Sequence, residues 1–212
     1  MTINSTITKA EIAEMPRVVF SEHIEVIDTI EKAEKALDSL KCESIIGFDT
    51  ETRPSFKKGV VNKIALLQLS TQNVAYLFRL NKIGLPQCVT DFLADSSVIK
   101  VGLSIKDDFC SLNRSADVHP CGFIELQDYV HKLGIEEQGL QKIFALLFGK
   151  RISKNQQLSN WEIDSLTFSQ CQYASIDAWA CLQIYNYLED LKKNGDLNIV
   201  KRYAEESLVK EG

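Results

Sequence analysis

Four carboxylates and one tyrosine occupy positions where polar groups are costly to keep. The first two acids, Asp49 and Glu51, end the run Ser44-Ile-Ile-Gly-Phe-Asp-Thr-Glu51, whose first half is apolar in the manner of a buried strand. Side chains alternate between the faces of a strand, so Ile45, Gly47, Asp49 and Glu51 share one side, with the two acids roughly 7 Å apart. Taken alone, the pair also fits a solvated strand edge or a helix cap.

A third acid sits in Ile105-Lys-Asp-Asp-Phe-Cys-Ser-Leu112. On a helix Ile105, Phe109 and Leu112 fall within about 60° of one another; Asp108 borders that apolar face and Asp107 points nearly the opposite way. Asp108 is therefore the candidate for inward chemistry, although an ordinary boundary residue would look the same. A fourth, Asp177, lies near the centre of the stripe Tyr173, Ala180, Ile184, Tyr187 and Leu188. An ionised carboxylate there needs a compensating partner, because isolated burial costs several kcal/mol or more. A buried Arg or Lys would serve as well as a metal. Tyr173, four residues earlier, projects from the same helix face.

Two unit charges 4 Å apart repel by about 4 kcal/mol at an effective dielectric near 20, so four acids in one pocket require neutralisation. Divalent cations supply it. Oxygen ligands without His or Cys suit hard ions such as Mg2+ or Mn2+, and two such ions beside a phosphodiester are the apparatus of phosphoryl transfer.

The elements that must carry these residues can be read from periodicity. Residues 1–28 are ambiguous, with a short helix followed by a strand around Ile24 to Ile27 as one reading. Thr29 is placed as the N-cap of a helix ending near Lys41. Strands are expected over Val60 to Ser70 and Val74 to Leu80 after the Ser44 strand. Helix Pro86 to Ala94, strand Val98 to Val101 and helix Ser104 to Asn113 follow. A short strand near Phe123 to Leu126 precedes helices at Asp128 to Lys132 and Gly139 to Phe148, then a polar loop from Gly149 to Asn160. Helices over about 168 to 191 and 196 to 209 close the chain. Strands first in a meander and then alternating with helices indicate an α/β fold with a mixed sheet.

The 212 residues, 45% hydrophobic, suffice for one full core. The expected organisation is an N-terminal extension over 1–28, a main domain over 29–192 and a C-terminal helical extension over 193–212. Apolar runs stay well short of the roughly 20 residues of a membrane span. The polar start, Met1 to Lys9, lacks the order of a secretory signal and predicts a cytosolic protein without membrane association. Six cysteines form no C-x-x-C pair and the three histidines are scattered, which supports neither a zinc site nor a thioredoxin-type motif. With a net charge of −5 the chain as a whole repels phosphate backbones, so nucleic-acid contact must come from local basic groups or bound metal.

These motifs resemble the DEDDy exonucleases, which carry four acids and a tyrosine, and specifically their ribonuclease D and Werner-syndrome exonuclease branch. The resemblance runs from Ser44 to Leu188, about two thirds of the chain. Its first motif is Phe48-Asp-Thr-Glu51, followed by Lys63-Ile-Ala-Leu-Leu-Gln-Leu-Ser70. The second is Lys100-Val-Gly-Leu-Ser-Ile-Lys-Asp-Asp-Phe-Cys-Ser-Leu112, where the family acid falls at Asp108. The third is Tyr173-Ala-Ser-Ile-Asp-Ala178, preceded by Leu158-Ser-Asn-Trp161 and Leu166-Thr167. The sister class would need His five residues before Asp177, where this chain has Gln172.

The resemblance implies a ribonuclease H-like fold, a five-stranded mixed sheet flanked by helices with the second strand antiparallel. It implies that Asp49, Glu51 and Asp177 hold one of two divalent ions, that Asp49 bridges to the second, and that Asp108 supports the second directly or through water. Tyr173 would orient the attacking water, and nucleoside monophosphates would leave stepwise from the 3′ end of single-stranded or 3′-recessed DNA or RNA. Between Trp161 and Leu166, Glu-Ile-Asp-Ser replaces the basic and proline residues often seen in the family, which puts a substrate contact there in doubt. RNA trimming in the manner of ribonuclease D, and a non-catalytic nucleic-acid-binding scaffold, are the alternatives.

Accessory candidates are Arg53, Lys57, Lys58 and Lys63 for phosphates, with a solvated charged loop as the other reading. Lys150, Arg151 and Lys154 form a second basic group of the same ambiguity. Trp161 and Phe56 could stack on bases or pack in the core. Thr50 could present its backbone to the terminal nucleotide while its side chain faces away.

Overall fold

The computed structural model describes residues 2–55 and 62–202. In chain order the elements are β1 (Thr2–Asn4), α1 (Lys9–Ala13), β2 (His23–Ile27), α2 (Ile30–Leu40), β3 (Ile45–Thr52), β4 (Ile64–Ser70), β5 (Val74–Phe78), α3 (Leu80–Ile83) and α4 (Gln87–Ala94). Then come β6 (Ile99–Gly102), α5 (Ile105–Leu112), β7 (Phe123–Glu125), α6 (Leu126–Lys132), α7 (Leu140–Phe148), α8 (Phe168–Asn194) and β8 (Asn198–Val200).

Local chemistry sets the helix starts. The Thr29 side chain accepts from Lys32 N at the head of α2, and Thr167 with Gln170 forms a capping box on α8. Gly195, in left-handed conformation at φ 71°, ends α8. The chain turns there into β8, so the helix expected over 196 to 209 is replaced, across 198–200, by a strand. The partly buried Ile199 packs into the core from β8, and β1 pairs with it in parallel. Residues beyond 202 lie outside the described part, as do Val60 and Val61 of the strand expected from residue 60.

The main sheet runs β2-β5-β4-β3-β6-β7, with β4 antiparallel to both β3 and β5 and the other pairs parallel. The sheet thus has six strands, not five, because β2 from the N-terminal extension adds to the edge of β5. The antiparallel strand is the second of the five that the resemblance implies.

Alternation along β3 divides the layers. Ile46 and Phe48 join α2, α4 and α5 in one core, which includes Leu37, Phe92, Ile105 and Leu112. Gly47 faces the other way, against α8: a Cβ there would lie 1.9 Å from the Ala178 carbonyl oxygen. The absent side chain lets the 27-residue helix α8 lie directly on the strand that carries the acids.

Candidate active site

Asp49 and Glu51 leave β3 on the α8 side, and Asp177, only 6% exposed, meets them from the helix. Together with Thr50, Tyr173 and Cys181 they line an open cleft of about 780 Å³. Asp108 arrives from the opposite layer. Ser104 holds a left-handed φ of 62°, and its N–H and that of Ile105 each donate to the Glu125 carboxylate at 2.9 Å, which fixes the start of α5. One turn on, the Asp108 carboxylate accepts a hydrogen bond from the Thr50 hydroxyl, while Asp107 is exposed. The Thr50 N–H donates to Asp49 Oδ1 at 2.9 Å, so this residue engages both its neighbouring acid and the one across the sheet.

The electrostatics are of one sign. Burial pushes the Asp49 carboxyl well above the carboxylate range, and Asp177, Asp108 and Glu51 push it further. Glu51 is driven up to about 9 by burial and then by Asp177 and Asp108. Burial lifts Asp108 to about 7 against the Thr50 hydrogen bond, and lifts Asp177 to about 7 against that of Tyr173. The Tyr173 hydroxyl is itself raised, by burial first and then by Asp177, Glu51 and Asp49, and so stays a donor. Among the described residues Asp177 is therefore partnered by a hydroxyl rather than by the buried Arg or Lys that the sequence left open.

This donor set fits hard divalent cations: four carboxylates that ionise together only when positive charge is supplied. Among the described residues no three acid, His or Cys side chains already close around one point. Asp108 is tied to Thr50.

A sequence model of the 3′-5′ exonuclease domain matches residues 24–192. The chain belongs to this family. A 3′-5′ exonuclease of Arabidopsis thaliana is 34% identical over 74% of this chain and 58% of its own length. The bifunctional 3′-5′ exonuclease/ATP-dependent helicase WRN of Mus musculus is 33% identical over 77% of this chain and 12% of its own. The chain thus spans at most about three fifths of these relatives. The crystal structure of the Aedes aegypti Nibbler EXO domain aligns with a TM-score of 0.77 at 22% identity, over 85% of this chain and 95% of that one, which shows a common ribonuclease H-like fold.

Within this exonuclease fold the accessory candidates separate. Arg53 pairs with Glu162 at 3.2 Å. Lys63 lines a different concavity, with Glu162, Leu112 and Ser115. Arg151 is held to the N-terminal segment through Met15 O, 2.9 Å from its Nε, and Lys150 borders another hollow. Of that basic group Lys154 lines the acidic cleft. Trp161 is fully buried, 6.0 Å from the Tyr173 ring, and leaves no face for a base to stack on. Its indole N–H favours the ionised form of Glu51 yet misses hydrogen-bond geometry. Phe56, Lys57 and Lys58 lie outside the described residues. The departing Glu-Ile-Asp-Ser loop has its own anchor: buried Arg79 donates to the Ile163 and Asp164 carbonyls.

Sequence reasoning missed Cys181, Gln68 and Lys9. Cys181 was signalled by its place one helical turn after Asp177. Gln68 is the lone amide in the wholly buried β4, directly across from Asp49, with neither amide atom partnered among the described residues. Lys9 lies before the family-matched segment and lines the cleft.

Proposed function

We propose that the protein is a metal-dependent 3′-to-5′ exonuclease that hydrolyses phosphodiester bonds of DNA or RNA and releases nucleoside monophosphates. The observation that carries this reading is the single cleft lined by Asp49, Glu51, Asp177 and Tyr173, joined to Asp108 through Thr50. A scaffold that merely binds nucleic acid gains nothing from acids that repel phosphate.

Asp49, Glu51 and Asp177 would hold one ion and Asp49 would also serve the second, which Asp108 would support directly or through water, Mg2+ or Mn2+ being the hard ions such oxygens select. When bound, the two cations supply the charge that activates water and stabilises the leaving oxygen. Asp49 and Asp177 are positioned by the direct contact of β3 with α8. Tyr173, fully protonated, donates from the cleft wall and orients the incoming water toward the scissile phosphorus. The 3′ end of a single strand, or of a 3′-recessed duplex, enters the open side.

We take residues 29–192 as the catalytic unit, with 1–28 and 193–212 as flanking segments that pair through β1 and β8. Six free cysteines favour a reducing compartment such as the cytosol. Among the described residues no helix is long and apolar enough to cross a membrane.

The test is digestion of 3′-labelled DNA and RNA, single- and double-stranded, with Mn2+ or EDTA. Mononucleotides are expected with Mn2+ only, and Asp49→Asn abolishes them. Activity persisting in that variant would sink the site. Preference for RNA over DNA would move the protein to ribonuclease D-like trimming.

A further inference from the structure

The cleft has a second wall, part of which precedes the family-matched residues 24–192. Lys9 and Ile12 of α1 line it, together with Lys154 and Leu158 of the loop before α8. α1 buries no residue of its own, so apolar packing does not explain why it sits there. It is held by its flanks instead. The Ile7 N–H donates to buried Glu137 at 2.9 Å, Glu136 N donates to the Ser5 carbonyl, and the Ser5 N–H donates to Val200 of β8. Thr8 and Glu11 form a capping box, and Glu11 also pairs with Arg202 at 2.9 Å. On the far side Val18 N donates to the Arg151 carbonyl and Arg17 to the Ser153 hydroxyl.

This anchoring presents two lysines to the cleft without neutralising them. Lys142, also on this wall, is paired with Glu137 at 2.8 Å, whereas among the described residues neither Lys9 nor Lys154 has a carboxylate partner. Exposed cations on the rim, opposite an acidic floor, match a polyanion that lies along the rim while its end reaches the acids.

We infer that α1 is a strand-gripping arm: Lys9, with Lys154 beside it, takes backbone phosphates of a single nucleic-acid strand upstream of its 3′ end, and Ile12 and Leu158 contact its sugars or bases. The inference rests on the nuclease reading only for the direction of the strand. Because α1 precedes the family-matched residues 24–192, the arm is a contribution of this chain's own N-terminal segment.

The experiment measures fluorescence anisotropy of a labelled 12-nucleotide single strand on the full chain carrying Asp49→Asn, so that no cleavage intervenes. Adding Lys9→Ala is expected to weaken binding about fivefold and to flatten the salt dependence by about one unit, as loss of one phosphate contact does. Lys9→Glu weakens it further and Lys9→Arg restores it. A dinucleotide, too short to reach the arm, binds all variants alike. Circular dichroism guards against misfolding. If Lys9→Ala binds the 12-mer like its parent, or loses as much on the dinucleotide, the arm is wrong. The nuclease reading fails separately: a wild-type chain that releases no mononucleotides while the Lys9 effect persists overturns catalysis and leaves the arm standing.

Discussion

The Thr50 hydroxyl donates to the Asp108 carboxylate, so the residue between two acids of β3 holds the acid of α5. β3 presents Asp49 and Glu51 to one layer and the Thr50 hydroxyl to the other, where it meets Asp108 outside the residues that line the cleft. This hydrogen bond opposes the upward push of burial on Asp108. Thr50→Val should raise the Asp108 pKa above about 7, so that protons compete with Mn2+ up to a higher pH. Calorimetric titrations from pH 6 to 9 should show Mn2+ affinity about tenfold lower at pH 7, converging with the parent near pH 9. Thr50→Ser should behave as the parent. A Thr50→Val curve that overlays the parent's would remove Thr50 from any role at Asp108.

Without metal, the acids make the fold weaker as pH rises. Glu51 titrates near 9 when folded and near 4.5 otherwise, so between these values the native state holds a proton that the unfolded chain has released. Stability is then fullest below about 4.5 and is lost as pH climbs through 9. Asp108 and Asp177 add the same sign up to about 7. In EDTA the melting temperature should fall by several degrees from pH 5 to pH 9. Glu51→Gln should flatten that fall, and Mn2+ should reverse it in the parent more than in the variant. A melting temperature that rises with pH in EDTA would contradict the charge arrangement.

Adjacent aspartates on α5 should separate cleanly. Asp107 is exposed and Asp108 is bonded to Thr50. Asp108→Asn should lower the rate of mononucleotide release about a hundredfold, equivalent to about 2.7 kcal/mol, whereas Asp107→Asn should stay within about twofold. Tyr173→Phe, which removes a donor at the reacting water, should cost about a hundredfold in kcat with little change in KM. Equal losses for the two aspartates would misplace the site on this helix.

Gly47 couples packing to chemistry. A methyl group there would overlap the Ala178 carbonyl, next in sequence to Asp177, and push α8 off β3. Gly47→Ala should destabilise by about 1–3 kcal/mol. An ångström of displacement between Asp49 and Asp177 should also cut activity by as much as about a hundredfold. Thermal melts and single-turnover cleavage on the folded fraction distinguish the two effects. An unaltered rate would mean that the helix's seat does not set the acid geometry.

Much of this was legible from residue order. The cap Thr29, the buried β3 and β4 and the orientation of Asp108 against Asp107 are local consequences of periodicity and side-chain hydrogen bonding, so the sequence alone determined most elements between residues 29 and 191 and which of their residues point inward, whereas the helix expected after residue 195 proved to be β8. The sequence could not reveal what faces those residues. Asp177 could equally have met a buried cation until the fold placed Tyr173 against it and Asp49 and Glu51 beside it. Trp161 and Lys63 share the motif neighbourhood of the cleft, yet one is sealed in the core and the other opens onto a separate hollow. The β1–β8 pairing joins segments 196 residues apart, between which no local pattern exists. Alternation and helical period act over a few residues, whereas which charges become neighbours depends on how layers stack, and that only the tertiary structure decided.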